Sequence, residues 1–152
     1  MDDAVENTSV PGGRTPAHLW LVGIVSLLWN AFGATDYTMT MTRNPAWLKS
    51  MSASQMAWID GFPAWATGSW ALGVWGAVAG SILLLVRSRH AVIAFIVSLA
   101  GLEASAFYQF GVSPPPAEFH GTAMIVLNLV IWAVAIGLLL YALAMRTRGV
   151  LR

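Results

Sequence analysis

The chain has 152 residues, 57% of them hydrophobic and only 10% charged, and its mean hydropathy is +0.67. A soluble domain carries about a quarter charged residues, so a purely cytosolic fold is excluded. The net charge of +1 offers no basic surface for nucleic acid, and the lack of cysteine excludes disulfides, thiolate metal sites and cysteine nucleophiles.

Residues 1–17 form a polar tail containing Asp2, Asp3, Glu6, Pro11, Gly12, Gly13 and Pro16, a composition expected to be poorly ordered. The tail lacks the basic start of a cleavable signal, and the apolar run after it is too long for one. Asn7-Thr8-Ser9 matches a glycosylation acceptor, but on the side expected to be cytoplasmic, where it reads as chance.

Four apolar runs follow, at about 18–38, 65–86, 91–110 and 122–145. Each has roughly the 20 residues that carry a helix across a ~30 Å hydrocarbon core. Strands would show alternation over about half that length, and the runs do not alternate. In lipid each segment must satisfy its own backbone, so the expected fold is all-α: an integral membrane four-helix up-down bundle, residues 18–146, with a basic tail at 147–152.

The basic residues orient it. With the N-terminus inside, Arg14, Arg87, Arg89, Arg146, Arg148 and Arg152 fall on the inner side and only Arg43 and Lys49 on the outer. Six against two favours both termini in the cytoplasm.

In the first run, His18 precedes Ile24-Val25-Ser26-Leu27 by the same interval that separates His90 from Ile96-Val97-Ser98-Leu99 in the third. The second and fourth runs also end alike, on Arg87-Ser88-Arg89 and Arg146-Thr147-Arg148. The echo suggests a parallel repeat of two helical hairpins; chance likeness between apolar helices is the competing reading.

Residues 43–63 make the long outer connection. Ser52-Ala53-Ser54-Gln55 fits a capping box opening a short helix, and Met56, Trp58, Ile59 and Phe62 give that helix an apolar face. It is expected in the outer interface, with Trp47, Trp58, Trp65 and Trp70 at headgroup level, either as an anchor or as a gate over a cavity.

In the second run Ser69, Gly73, Ala77 and Ser81 recur every four residues, with Gly76 and Gly80 beside them. Small residues let helices approach closely in lipid, so this run is the expected packing centre, either within one bundle or between copies.

Polar residues inside the runs carry what chemistry the sequence offers. Asn30, Asp36, Glu103, Gln109 and Asn128 all fall in the outer half, with Tyr37 and Tyr108 nearby, and their convergence would make a polar cavity opening outward. Glu103 is the deepest acid and no lysine or arginine lies within a run. It is therefore expected to hydrogen-bond Asn128 or Asp36, or else to face water or a cation. Asp36 stands near the outer end, where a capping role competes with a site, and Asn30 and Asn128 can equally join helices.

Cofactor chemistry is not indicated. Met39, Met41, Met51, Met56 and His120 lie near the outer face, but Met39 and Met41 point to different sides of a helix; His18 and His90 read as interfacial side chains rather than haem ligands. No nucleophilic triad, phosphate loop or HExxH is present, so no recognised catalysis is implied.

Leu28-Trp29-Asn30-Ala31-Phe32-Gly33-Ala34-Thr35-Asp36-Tyr37, then Arg43-Asn44-Pro45 and Asp60-Gly61-Phe62-Pro63-Ala64-Trp65, resembles a family of small, uncharacterised four-helix bacterial inner-membrane proteins. The resemblance covers most of the chain beyond the tail. Such proteins are sometimes labelled sugar-transporter-like, but the resemblance implies no established activity, and the Pro-Gln motif of three-helix sugar-transporter units is missing. Two functions follow as expectations: a transport-like protein binding a polar solute or proton in the outer-half cavity, working as a homo-oligomer, or a non-catalytic accessory subunit of a larger membrane complex.

Overall fold

The computed structural model describes residues 16–152, so residues 1–15 of the tail, with the Asn7 acceptor and Arg14, lie outside the described residues. Those residues are helical, with no strand among them. The helices are α1 (Ala17–Met41), α2 (Pro45–Leu48), α3 (Ala53–Asp60), α4 (Ala64–Leu85), α5 (Ala91–Ala106) and α6 (Thr122–Thr147). A wider π-helical turn, Phe107–Val112, prolongs α5, and a 3₁₀ turn, Ala117–Phe119, precedes α6.

Four helices, counting α5 with its π turn, are long and apolar enough to cross a membrane. Leucine, isoleucine, valine, tryptophan and phenylalanine cover much of their outer surface, including Leu21, Leu28, Trp75, Ile96, Phe107 and Leu140. A helix apolar all round needs apolar surroundings on all sides, and hydrocarbon supplies them.

At one end of the molecule all four long helices meet. Leu19 from the start of α1, Leu84 from the end of α4, Val92 and Phe95 from the start of α5, and Leu138, Ala142 and Met145 from the last turns of α6 form one buried cluster, here the core end. The basic tail does not trail away from it. Leu151 is buried in the cluster, Arg152 N–H donates to Arg87 O at 2.8 Å, and Arg89 N–H donates to Arg152 O at 2.8 Å. Gly149 takes φ +69° to turn the chain back. α1 and α4 end in the same turn with arginine in the left-handed position, Arg43 at φ 56° and Arg87 at φ 60°, each supported by the paired bonds that close a Schellman cap.

From the core end α1 and α5 both run against α4, and α4–α5 is the most extensive contact. A Cβ on Gly76 would lie 3.1 Å from Ser98, one on Gly80 would strike the Phe95 ring at 2.6 Å, and one on Gly101 would meet Gly73 N and Ser69 O at 2.6 Å. Ser98 Oγ donates to Gly73 O at 2.6 Å across this seam. The four-residue row does not stay on one face, because it drifts about 40° per step around a 3.6-residue helix. Ser69 and Gly73 therefore face α5, whereas Ala77 and Ser81 face α1, where Asn30 Nδ2 donates to Ser81 Oγ at 2.9 Å and to Ala77 O at 3.3 Å.

α6 is held differently. It packs on α5 and the core end, and residues 122–127 of its first turns are all exposed. One link to α1 is His18 Nδ1 with Tyr141 Oη at 2.6 Å, low on the helix. The two hairpins of the expected repeat are thus unequal: α1 and α4 pack along their length, while α5 and α6 separate away from the core end.

Candidate functional site

The opposite end is a cap built from α2, α3 and the loop before α6. Asn44 caps α2, accepting from Ala46 N and Trp47 N, and Pro45 fits its first position. Ser52 accepts from Gln55 N while Gln55 Oε1 accepts from Ser52 N, the full capping box of α3. Arg43 pairs with Asp60, closing the ends of this loop.

The α5–α6 connection is stitched onto α3. Trp58 Nε1 donates to Ser113 O at 2.9 Å, Tyr108 Oη donates to Gly61 O at 3.0 Å, and Ser54 Oγ donates to Glu118 Oε1 at 2.6 Å. Rings fill the space between: Trp58 meets Phe62 and Phe119, and Tyr108 meets Phe62 and Trp65, at centroid distances of 4.8–5.4 Å. The Ser54 hydrogen bond is the largest influence holding the Glu118 carboxyl below its ordinary range. The π turn positions Tyr108: it widens the backbone before Pro114, which supplies no N–H to continue the helix, and Ser113 N bonds Tyr108 O instead.

Beneath the cap, between α1, α4, α5 and the separating half of α6, lies a cavity of about 390 Å³. Phe95 and Leu138 form its floor above the core cluster, and Met51, Trp58, Ile59 and Phe62 of the α3 segment form its roof. Its walls carry Asn30, Asp36 and Thr40 from α1, Ser98 and Ser105 from α5, Gln109 from the π turn and Asn128 from α6. Nine of the lining residues are aromatic, and the size falls in the ordinary range for small-molecule sites.

Four of the seven polar residues singled out in the sequence therefore share this cavity: Asn30, Asp36, Gln109 and Asn128. Asn30 spends its amide N–H groups on α4, and Gln109 Nε2 donates to Ser105 Oγ at 2.9 Å. Trp47 Nε1 donates to Asp36 Oδ1 at 3.0 Å, so α2 orients that carboxylate. The Asn128 side chain makes no hydrogen bond among the described residues and stands free on the splayed helix.

Three do not join them. Tyr37 stacks edge-on against Trp70 with centroids 5.1 Å apart, and Tyr108 is consumed by the cap. Glu103 is exposed on α5 and bonds neither Asn128 nor Asp36, so the hydrogen-bonded placement expected from the sequence is not found, leaving the outward-facing one. The reason is register: Ser98, Gly101 and Ser105 are the buried residues of this stretch, and Glu103 lies on the other side of the helix with Ile96, Ala100 and Phe107.

Sequence reasoning misses Ser98, Ser105 and Thr40. The first two carry a signal, since small residues at 98, 101 and 105 mark the face of α5 that meets α4. It also misses the aromatic walls, because rings on apolar helices look like lipid-facing bulk until the helices are placed. Among the described residues no three His, Asp or Glu side chains gather to hold a metal ion. Comparison of the chain with protein-family models, with curated proteins and with solved structures gave no match.

Proposed function

We propose that the chain is a multi-pass bacterial inner-membrane protein, an up-down bundle with its core end toward the cytoplasm, that binds a small amphipathic molecule in the cavity beneath the cap in a transport-like role. The orientation is supported by Arg87, Arg89, Arg146, Arg148 and Arg152 on the core-end side against Arg43 and Lys49 at the cap. The resemblance of residues 28–37, 43–45 and 60–65 to small four-helix inner-membrane proteins points the same way.

The observation that carries the binding reading is the cavity itself. It combines amide, hydroxyl and carboxylate groups with nine aromatic residues, and it has a roof that a few hydrogen bonds hold in place. A ligand with an apolar body and one or two polar groups matches such a lining. The test is a thermal-shift screen of small amphiphiles on the detergent-solubilised chain, comparing the wild type with Ala135→Phe, which fills the cavity. Stabilisation that vanishes in the filled variant supports the reading. Stabilisation indifferent to filling, or none across the screen, rejects it.

The accessory-subunit reading rests on a different observation: Glu103 projects from α5 at about the middle of its span, where an unpartnered acid invites a neighbouring helix or a second copy. The glycine face of α4 lends it no support, since α5 occupies that face.

A further inference from the structure

Among the described residues Asp36 is the only charged side chain lining the cavity, and no lysine, arginine or histidine of theirs lines it to balance the carboxylate. Among the described residues its one hydrogen bond is the neutral indole N–H of Trp47, which holds Oδ1 and leaves Oδ2 without a donor. A carboxylate in apolar surroundings with a single neutral partner favours a counter-cation.

A second, independent feature lies one turn further along α1. Thr40 lines the same cavity, is fully buried, and its Oγ1 has no hydrogen-bond partner. Its neighbours behave otherwise: Thr35, Thr38 and Thr42 each donate to the carbonyl four residues back, at 2.7–2.8 Å. A buried hydroxyl left unbonded costs free energy. Residues four apart share a helix face, so Thr40 lies on the Asp36 side of α1, but its hydroxyl has no surface open to the cavity and meets a ligand only when a neighbouring side chain shifts.

Phe62, Trp70 and Trp132 line the same cavity, and the faces of aromatic rings attract cations. The way in is apolar as well: Phe32, Phe110 and Leu127 line the cavity and are also exposed on the outer surface of the helices.

We propose that the ligand class is a lipophilic amine in its protonated form, with its ammonium group on the Asp36 carboxylate and its aromatic or aliphatic body against the cavity rings. This rests on the cavity being the binding site argued above. An anion has no positive partner there, and a neutral molecule leaves Asp36 uncompensated.

Three probes of matched shape separate charge from fit: diphenylmethylamine, protonated at neutral pH, neutral diphenylmethanol, and anionic diphenylacetate. Binding to the full chain in a non-ionic detergent is measured by calorimetry for the wild type, Asp36→Asn, Asp36→Glu and Ala135→Phe. The amine should bind about tenfold or more tighter than the alcohol, and the acetate weakest. Asp36→Asn should reduce the amine to the level of the alcohol without changing the alcohol, and Asp36→Glu should keep the preference.

If the amine binds no better than the alcohol, or keeps its advantage in Asp36→Asn, the ligand class is overturned, while alcohol binding that Ala135→Phe abolishes leaves the cavity reading standing. If none of the probes binds, or all bind regardless of Ala135→Phe, both are overturned.

Discussion

Two acids on one side of the midplane, Asp36 and Glu103, are both candidates for one site in the sequence and differ completely in surroundings. Asp36 is oriented by Trp47 inside the cavity; Glu103 is on an outward face and its side chain makes no hydrogen bond among the described residues. A carboxyl at the centre of a membrane helix costs about 2.5–3.5 kcal/mol on insertion scales. Glu103→Leu is therefore expected to raise thermal stability in detergent and leave binding in the cavity unchanged. A lower melting point together with a smaller particle by light scattering would instead show that the acid holds a second helix. Glu118 permits a prediction of opposite kind. Its carboxyl is held below the ordinary range chiefly by Ser54, so the folded state favours its ionised form. The contact between the 3₁₀ turn and α3 is then fully present above the ordinary glutamate range and is lost as pH falls through the lowered value. A carbon-detected NMR titration should find Glu118 titrating below a free glutamate, and Ser54→Ala should move it back up.

Among the elements, the seam between α4 and α5 is partly legible in the sequence. The run of small residues from Ser69 to Ser81 marks α4 as a packing centre, but it cannot tell one bundle from two copies, nor reveal that the row divides between two partners. Gly101 escapes notice because it has no glycine four residues away to form a recognised motif, yet its Cα faces backbone on α4. Gly101→Ala should cost about 1–3 kcal/mol, because the added methyl meets backbone atoms at 2.6 Å rather than a movable side chain. A melting point equal to the wild type would mean that the seam yields more readily than those distances imply. The capping box at Ser52 is readable because it depends on four neighbouring residues alone. The π turn at Phe107–Val112 is not: its geometry answers to Gly61 and the cap, both far away in the chain.

For the whole molecule, length and composition foretell four long apolar helices, but not how unevenly they pack. Hydropathy is blind to which apolar residues touch protein and which touch lipid, so neither the separation of α6 nor the burial of Leu151 leaves a trace in it. Orientation is the most direct property to measure. Reporter fusions after Arg89 and Arg152 are expected on the cytoplasmic side, and insertions near Lys49 and Pro115 on the periplasmic side. A periplasmic reporter after Arg152 would invert the molecule and turn the cavity toward the cytoplasm.

The separation of α6 also gives the protein a cross-section that changes with depth. Helices gathered at one end and parted at the other make a wedge, which takes up more area in one leaflet than in the other. In a bilayer, in-plane tension would work on that difference in area, so stretching the leaflet around the cap would favour the parted arrangement and lateral compression would press α6 back toward α1 and α5. On the proposed membrane placement and binding role, the volume open to a ligand would be tied to the mechanical state of the surrounding lipid, and short-tailed or strongly curved bilayers should alter ligand affinity with no change in a single side chain.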